Sequence, residues 1–165
     1  MRYQAHSTLR VKITILCSFI VAFFLSALPM PYWAAWFRPE WALLVLIYWM
    51  VYSPHQVGLT VAFLVGVCLD SLYGSALGLH SIALVLTAYV VSASQRGLRQ
   101  YNMLIQMIMI VFFALGYQCL LLVVYALLKQ QVAYTWTYWA PTLVCGFLWP
   151  VITLILGSRQ QQARA

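Results

Sequence analysis

Six stretches of the chain are apolar over most of their length, and short polar or turn-forming segments separate them. They are Ile13–Met30, Trp41–Tyr52, Val57–Tyr73, Leu77–Ser94, Met103–Leu128 and Trp139–Gly157. A helix needs roughly 20 apolar residues to cross a bilayer, and most of these runs approach that length. The second is short, about 12 residues or roughly 18 Å of helix. It reaches a spanning length only if Phe37–Glu40 is counted near the interface, so a re-entrant segment is its rival. The pattern lacks the alternating ten-residue segments of a transmembrane barrel. It predicts an all-α integral membrane protein of about six transmembrane helices, a single polytopic membrane domain over residues 1–165 with no soluble domain. No convincing internal repeat is visible, which counts slightly against an alternating-access transporter.

Composition supports the pattern. The chain is 65% hydrophobic and 7% charged, against about 45–50% and about 25% in an average soluble domain. One soluble core cannot hide that excess. The first apolar run follows Arg2, Arg10 and Lys12, as in a signal peptide. It is longer than the usual signal-peptide core and has no clean cleavage site, so it is expected to remain as the first span.

Charge then sets an orientation. The net charge of +7 comes from nine Lys and Arg against Asp70 and Glu40. The basic residues flank apolar runs and form no cluster suited to nucleic acid. With six spans and both termini cytoplasmic, Arg2, Arg10, Lys12, Arg96, Arg99, Arg159 and Arg164 all lie inside. Arg38 and Lys129 then face outward. A re-entrant second segment would place Arg96 and Arg99 outside, against the positive-inside rule. Tyr32, Trp33, Trp36 and Trp41 border the first outer loop, and Tyr134, Trp136, Tyr138 and Trp139 the third. Such rings anchor in the headgroup layer; docking a partner is the alternative.

Polar residues that could carry chemistry are few. Asp70 is embedded in "FLVGVCLDSLYGSALGLHS". If the helix continues, Gly66, Asp70 and Gly74 fall on one stripe. Small residues there would let another helix approach, and Asp70 would hold its helix against a neighbour or a partner. The alternative is that Asp70 ends one helix or caps the next. Gly74–Gly78 reads as a turn, and His80, early in the fourth span, is within reach of an Asp70 pair. In "FRPEW", Pro39 suits a first helical position and Glu40 the positive end of a helix dipole. Arg38 can snorkel to headgroups or pair with Glu40 or Asp70. "SPHQ" makes a turn that exposes His55, either solvated or meeting a cytoplasmic partner, and Pro54 stops the second helix. Pro150 lies inside the last span and should loosen it, with tight packing at Gly146–Trp149. Cys17, Cys68, Cys119 and Cys145 lie in apolar runs without a CxxC pair. They are expected to be small buried apolar residues, not disulfide or metal ligands.

No P-loop, dinucleotide fingerprint, HExxH or GxSxG motif occurs. Two acids and three histidines are a thin set for an enzyme, and no charge lies clearly at mid-membrane, where a proton-coupled carrier places one. The residues predict no catalytic group, cofactor or metal.

The run "FRPEWALLVLIYWMVYSPHQVGLTVAFLVGVCLDSLYGSALGLHSIAL" and the later "GFLWP" resemble the MreD family of rod shape-determining membrane proteins. The ordered set R-P-x-W, P-H, G-x-x-x-D and G-S-x-L-G carries the specificity. The resemblance covers most of the chain and is densest from Phe37 to Leu84. It implies a non-enzymatic role in the bacterial inner membrane, in the machinery that builds side-wall peptidoglycan. The implied partners are an MreC-like single-span protein, an MreB-like actin filament, a RodA-type glycosyltransferase, a class B penicillin-binding transpeptidase and membrane lipids. Nucleic acid is not among them. The family's distant similarity to vitamin-transporter subunits leaves a small-solute-binding subunit as the alternative. A lipid-headgroup enzyme using Asp70 and His80 is the weakest rival. The partner-interface or structural candidates are Arg38, Pro39, Glu40, His55, Gly66, Asp70, Gly74, Gly78, His80 and Pro150.

Overall fold

A computed structural model describes residues 2–29, 31, 37–128 and 136–164. The side chains of 2–9, 136–137 and 158–164 are not described. The described residues form six α-helices and a short 3₁₀ turn: α1 (Arg2–Ala27), α2 (Trp41–Tyr52), α3 (Leu59–Tyr73), α4 (Leu79–Gln100), α5 (Met103–Leu127), the turn Trp136–Trp139, and α6 (Ala140–Arg164). The predicted number and order of helices are therefore correct. Tyr32, Trp33, Trp36, Lys129 and Tyr134 lie outside the described residues.

The bundle is organised around its shortest helix. In α2, every residue from Ala42 to Val51 is buried. A helix apolar on all sides has no face to offer water and belongs inside. α2 packs against α1, α4 and α6, while α3 packs on α4, and α5 lies between α4 and α6. Its length of roughly 18 Å is well under a hydrocarbon core of about 30 Å. Surrounding protein makes that tolerable, and its C-terminal end meets polar groups of the chain itself. The Ser53 amide donates to the Trp49 carbonyl at 2.7 Å, and the Arg99 guanidinium donates to the Val51 carbonyl. Arg99 sits in the last turn of α4, which runs to Gln100. Arg96 and Arg99 are thus helical residues and not loop residues, as their placement beyond Ser94 had implied.

The outer surface is apolar. Ile13, Leu16, Ile20 and Phe24 are exposed on α1, Leu104, Ile108 and Phe112 on α5, and Leu143, Phe147, Val151 and Leu154 on α6. Their three- and four-residue spacing marks one stripe per helix. Apolar stripes turned outward on helix after helix are the signature of an integral membrane protein. The segments Arg10–Ala27, Met103–Leu127 and Ala140–Gly157 are each long and apolar enough to cross a membrane, and α2 and α3 are shorter apolar helices. The cysteines correct one expectation: Cys145 is buried, but Cys17, Cys68 and Cys119 are exposed on this apolar exterior. Lipid accepts a small apolar side chain as readily as a core does.

Polar side chains join the helices inside. Trp49 Nε1 donates to Ser18 Oγ at 2.8 Å, and Trp149 Nε1 to Gln106 Oε1 at 2.9 Å. Thr142 on α6 donates to Gln118 on α5. Gly146 packs on α5: a Cβ there would lie 2.5 Å from Val111 Cγ2. Trp149 is fully buried, so the packing expected at Gly146–Trp149 is present, and α6 continues through Pro150.

Emptying the centre should cost more than trimming the outside. Leu44→Ala at a fully buried site should lower stability by about 2–5 kcal/mol. Leu104→Ala, 73% exposed, should stay within about 0.5 kcal/mol. Thermal unfolding in detergent micelles measures both.

Candidate functional site

The residues richest in chemistry meet where α3 turns into α4. α3 ends at Tyr73, and Gly74 takes a left-handed φ of 63°. Gly78, just ahead of α4, has a φ of 101°. Side-chain-bearing residues rarely adopt either value, so the two glycines permit the reversal. Gly74 is therefore a cap, not a continuation of the Gly66–Asp70 stripe. The chain folds back so that α3 and α4 touch backbone to backbone. A Cβ on Gly66 would sit 2.6 Å from the Ser81 amide nitrogen and 2.8 Å from Ser81 Oγ.

That approach delivers Asp70, fully buried, to the start of α4. Its Oδ1 accepts from Ser75 Oγ at 2.9 Å, the His80 amide at 2.9 Å and His80 Nδ1 at 2.8 Å. Its Oδ2 accepts from the Gly78 amide at 2.8 Å and Ser81 Oγ at 3.3 Å. An ionised carboxylate only accepts hydrogen bonds, and five donors from one turn and helix start surround this one. The same demand puts the proton of His80 on Nδ1, since that nitrogen faces the carboxylate. Asp70 thus satisfies amides at the α4 N-terminus that have no intrahelical partner, from a position on the preceding helix. Its own carbonyl accepts from the Ser75 amide at 3.0 Å. The two sequence readings of Asp70, a cap and a His80 partner, are both realised. Tyr73 lies against the His80 ring, with centroids 5.3 Å apart.

The second group stands ahead of α2. Pro39 is buried but precedes the helix, and Glu40 occupies the N-cap position without a side-chain capping bond. Both lie earlier than the first-turn placement expected of them. Arg38 Nη2 donates to the carbonyls of Leu25 at 3.5 Å and Leu28 at 3.3 Å. A cation at those carbonyls complements the negative end of the α1 dipole. Glu40 precedes the spans, and burial pushes its carboxyl up to about 7, against the opposing pull of Arg38. His55 is exposed in the Ser53–Val57 turn, as expected. That turn is at the opposite end of α3 from Asp70. Among the described residues, no group of three or more His, Cys, Asp or Glu is arranged to hold a metal.

Sequence reasoning missed the polar residues that join helices: Gln106, Gln118, Thr142 and Ser18. A glutamine inside an apolar run is a visible signal, because its amide must find a partner away from water. It also missed Arg99 as the cap of α2. A count of basic residues by loop does not show which carbonyl one of them reaches.

The model of the rod shape-determining protein MreD family matches residues 7–159. The chain belongs to the MreD family. Rod shape-determining protein MreD from Haemophilus influenzae is 30% identical over 151 residues, covering 92% of this chain and 93% of that protein. No solved structure matches. The expected family is thus shown, and the chain is a rod shape-determining membrane protein. In this MreD-family chain, the G-x-x-x-D and G-S-x-L-G runs supply Gly66, Asp70, Gly74, Ser75 and Gly78, the residues that build the α3–α4 knot around Asp70.

Asp70→Leu strands the buried His80 amide and the Gly78 amide, at about 1–3 kcal/mol for each group left unpaired. Asp70→Asn keeps one acceptor oxygen and should lose less. Gly66→Ala forces α3 off Ser81 and should destabilise even with Asp70 intact. Melting temperatures of the three variants test this order. Glu40 gives a pH dependence. Its pKa is higher folded than unfolded, so the folded state holds an extra proton between about 4.5 and 7. Stability should fall as pH rises through that window, and Glu40→Gln should flatten the decline.

Proposed function

We propose that this chain is a non-enzymatic scaffold of the cell-elongation complex in the bacterial inner membrane, needed for side-wall peptidoglycan synthesis. The observation that carries the reading is the state of Asp70. The acid expected to do any chemistry is enclosed by five donors of its own chain, and it positions a helix. A hydrolytic or transfer enzyme needs an acid or base that can meet substrate. Family membership supports the same role.

In this reading all six helices are membrane-embedded, with both termini cytoplasmic. The α3–α4 knot then faces the periplasm and the His55 turn the cytoplasm. The partners are an MreC-like single-span protein, an MreB-like filament, a RodA-type glycosyltransferase and a class B penicillin-binding transpeptidase. The knot fixes the outer end of the α3–α4 pair, and a partner's span or periplasmic segment docks on that fixed shape. The exposed His55 turn suits a cytoplasmic partner.

Depleting the protein from its rod-shaped host should produce rounded, widened cells that no nutrient rescues, scored by microscopy. Rods of unchanged width would overturn the reading. Asp70→Leu, inserted at normal level, should reduce co-purification of the MreC-like partner several-fold. Undiminished recovery would remove the knot from partner assembly.

A further inference from the structure

An apolar cleft of about 320 Å³ runs between α1, α2 and α6. Cys17, Val21 and Leu25 form one wall, Trp41 and Val45 another, and Ile155 lies on the third. Val21 and Ile155 are each 56% exposed, so the cleft opens sideways, toward the surface that the bundle presents to lipid. On α1 the lining extends from Thr14 to Leu25, roughly 16 Å of helix.

The end of the cleft at Leu25 and Trp41 is polar. The Trp41 indole N–H and Arg38 Nε are buried and have no hydrogen-bond acceptor among the described residues. Arg38 is held beside the cleft by its bond to the carbonyl of Leu25, a lining residue. Two idle donors, one on a cation, thus stand at one end of an apolar slot. Buried donors left unpaired are costly, and an anionic acceptor at this end of the cleft would relieve that cost. Among the described residues no ion pair joins Arg38 to Glu40.

We propose that this cleft is a lipid site that holds one acyl chain of an anionic glycerophospholipid, whose phosphate accepts from Trp41 Nε1 and Arg38. The chemistry of the lining separates this occupant from an apolar partner helix: unpaired donors, one of them on a cation, beside an apolar slot call for an anionic head joined to an alkyl chain. In the orientation given above the lipid belongs to the outer leaflet. The site itself requires only that the chain be membrane-embedded and does not depend on the elongation role.

The test is native mass spectrometry of the full chain, released from bilayers of equal phosphatidylglycerol and phosphatidylcholine. The wild type should retain one phosphatidylglycerol per chain, about tenfold over phosphatidylcholine, as one charge-assisted bond implies. Trp41→Phe keeps the ring and removes the N–H, so the preference should fall while a lipid is still retained. Cys17→Trp fills the cleft and should abolish retention, whereas Cys119→Trp, on the exposed face of α5, should not. If Cys17→Trp lowers the melting temperature, Val21→Trp replaces it. Equal retention of the two lipids would overturn the proposal. So would undiminished retention in a folded cleft-filling variant, or a partner's transmembrane segment held in place of lipid.

Discussion

A carboxylate buried inside a helix bundle must find its donors in the protein, because solvent does not reach it. Asp70 finds five, and the local structure follows from that requirement. Gly66 removes the side chain that would hold α4 away. Gly74 and Gly78 reverse the chain within a few residues. Ser75, His80 and Ser81 complete the shell. Each residue has a separate physical task, and each fails if the carboxylate is absent. An acid in this setting is costly alone and stabilising in company.

The same accounting explains the centre of the bundle. α2 is too short to cross a bilayer by itself, yet protein and not hydrocarbon surrounds it from Ala42 to Val51. Arg99 reaches the Val51 carbonyl in the last turn of α2 from α4, and Arg38 reaches the carbonyls of Leu25 and Leu28 at the end of α1 from the following connection. Two residues that a charge count assigns to orientation therefore also close helix ends. Both roles draw on one property, a cation that favours the negative end of a helix. Long polar side chains elsewhere, Gln106 and Gln118, do the corresponding work between α5 and α6.

The number, order and type of helices were legible in the sequence, because six apolar runs between turn signals have few other solutions. The His55 turn was legible too, whereas the Asp70–His80 contact was open only as a possibility, because the spacing alone does not fix how the chain reverses between them. The central position of α2 was not. A uniformly apolar run of twelve residues reads equally as a core helix, a tilted span or a re-entrant piece, and only the packing of α1, α4 and α6 around it decides. Some helix limits also moved. α2 keeps the limits of its apolar run, with Pro39 and Glu40 ahead of it, while α4 continues past Ser94 to carry Arg96 and Arg99, where the bond of Arg99 to the Val51 carbonyl holds its polar end against α2. The outward-facing cysteines show a further limit: apolar periodicity marks a surface but cannot say whether lipid or protein covers it.

The central claim is that Asp70 caps α4 across the turn. Amide hydrogen exchange at Gly78 and His80, with the protein in lipid nanodiscs, tests it most directly. The account predicts protection at both amides comparable to the middle of α4, lost together in Asp70→Leu. Exchange at those two amides as fast as in the exposed turn around His55 would contradict it.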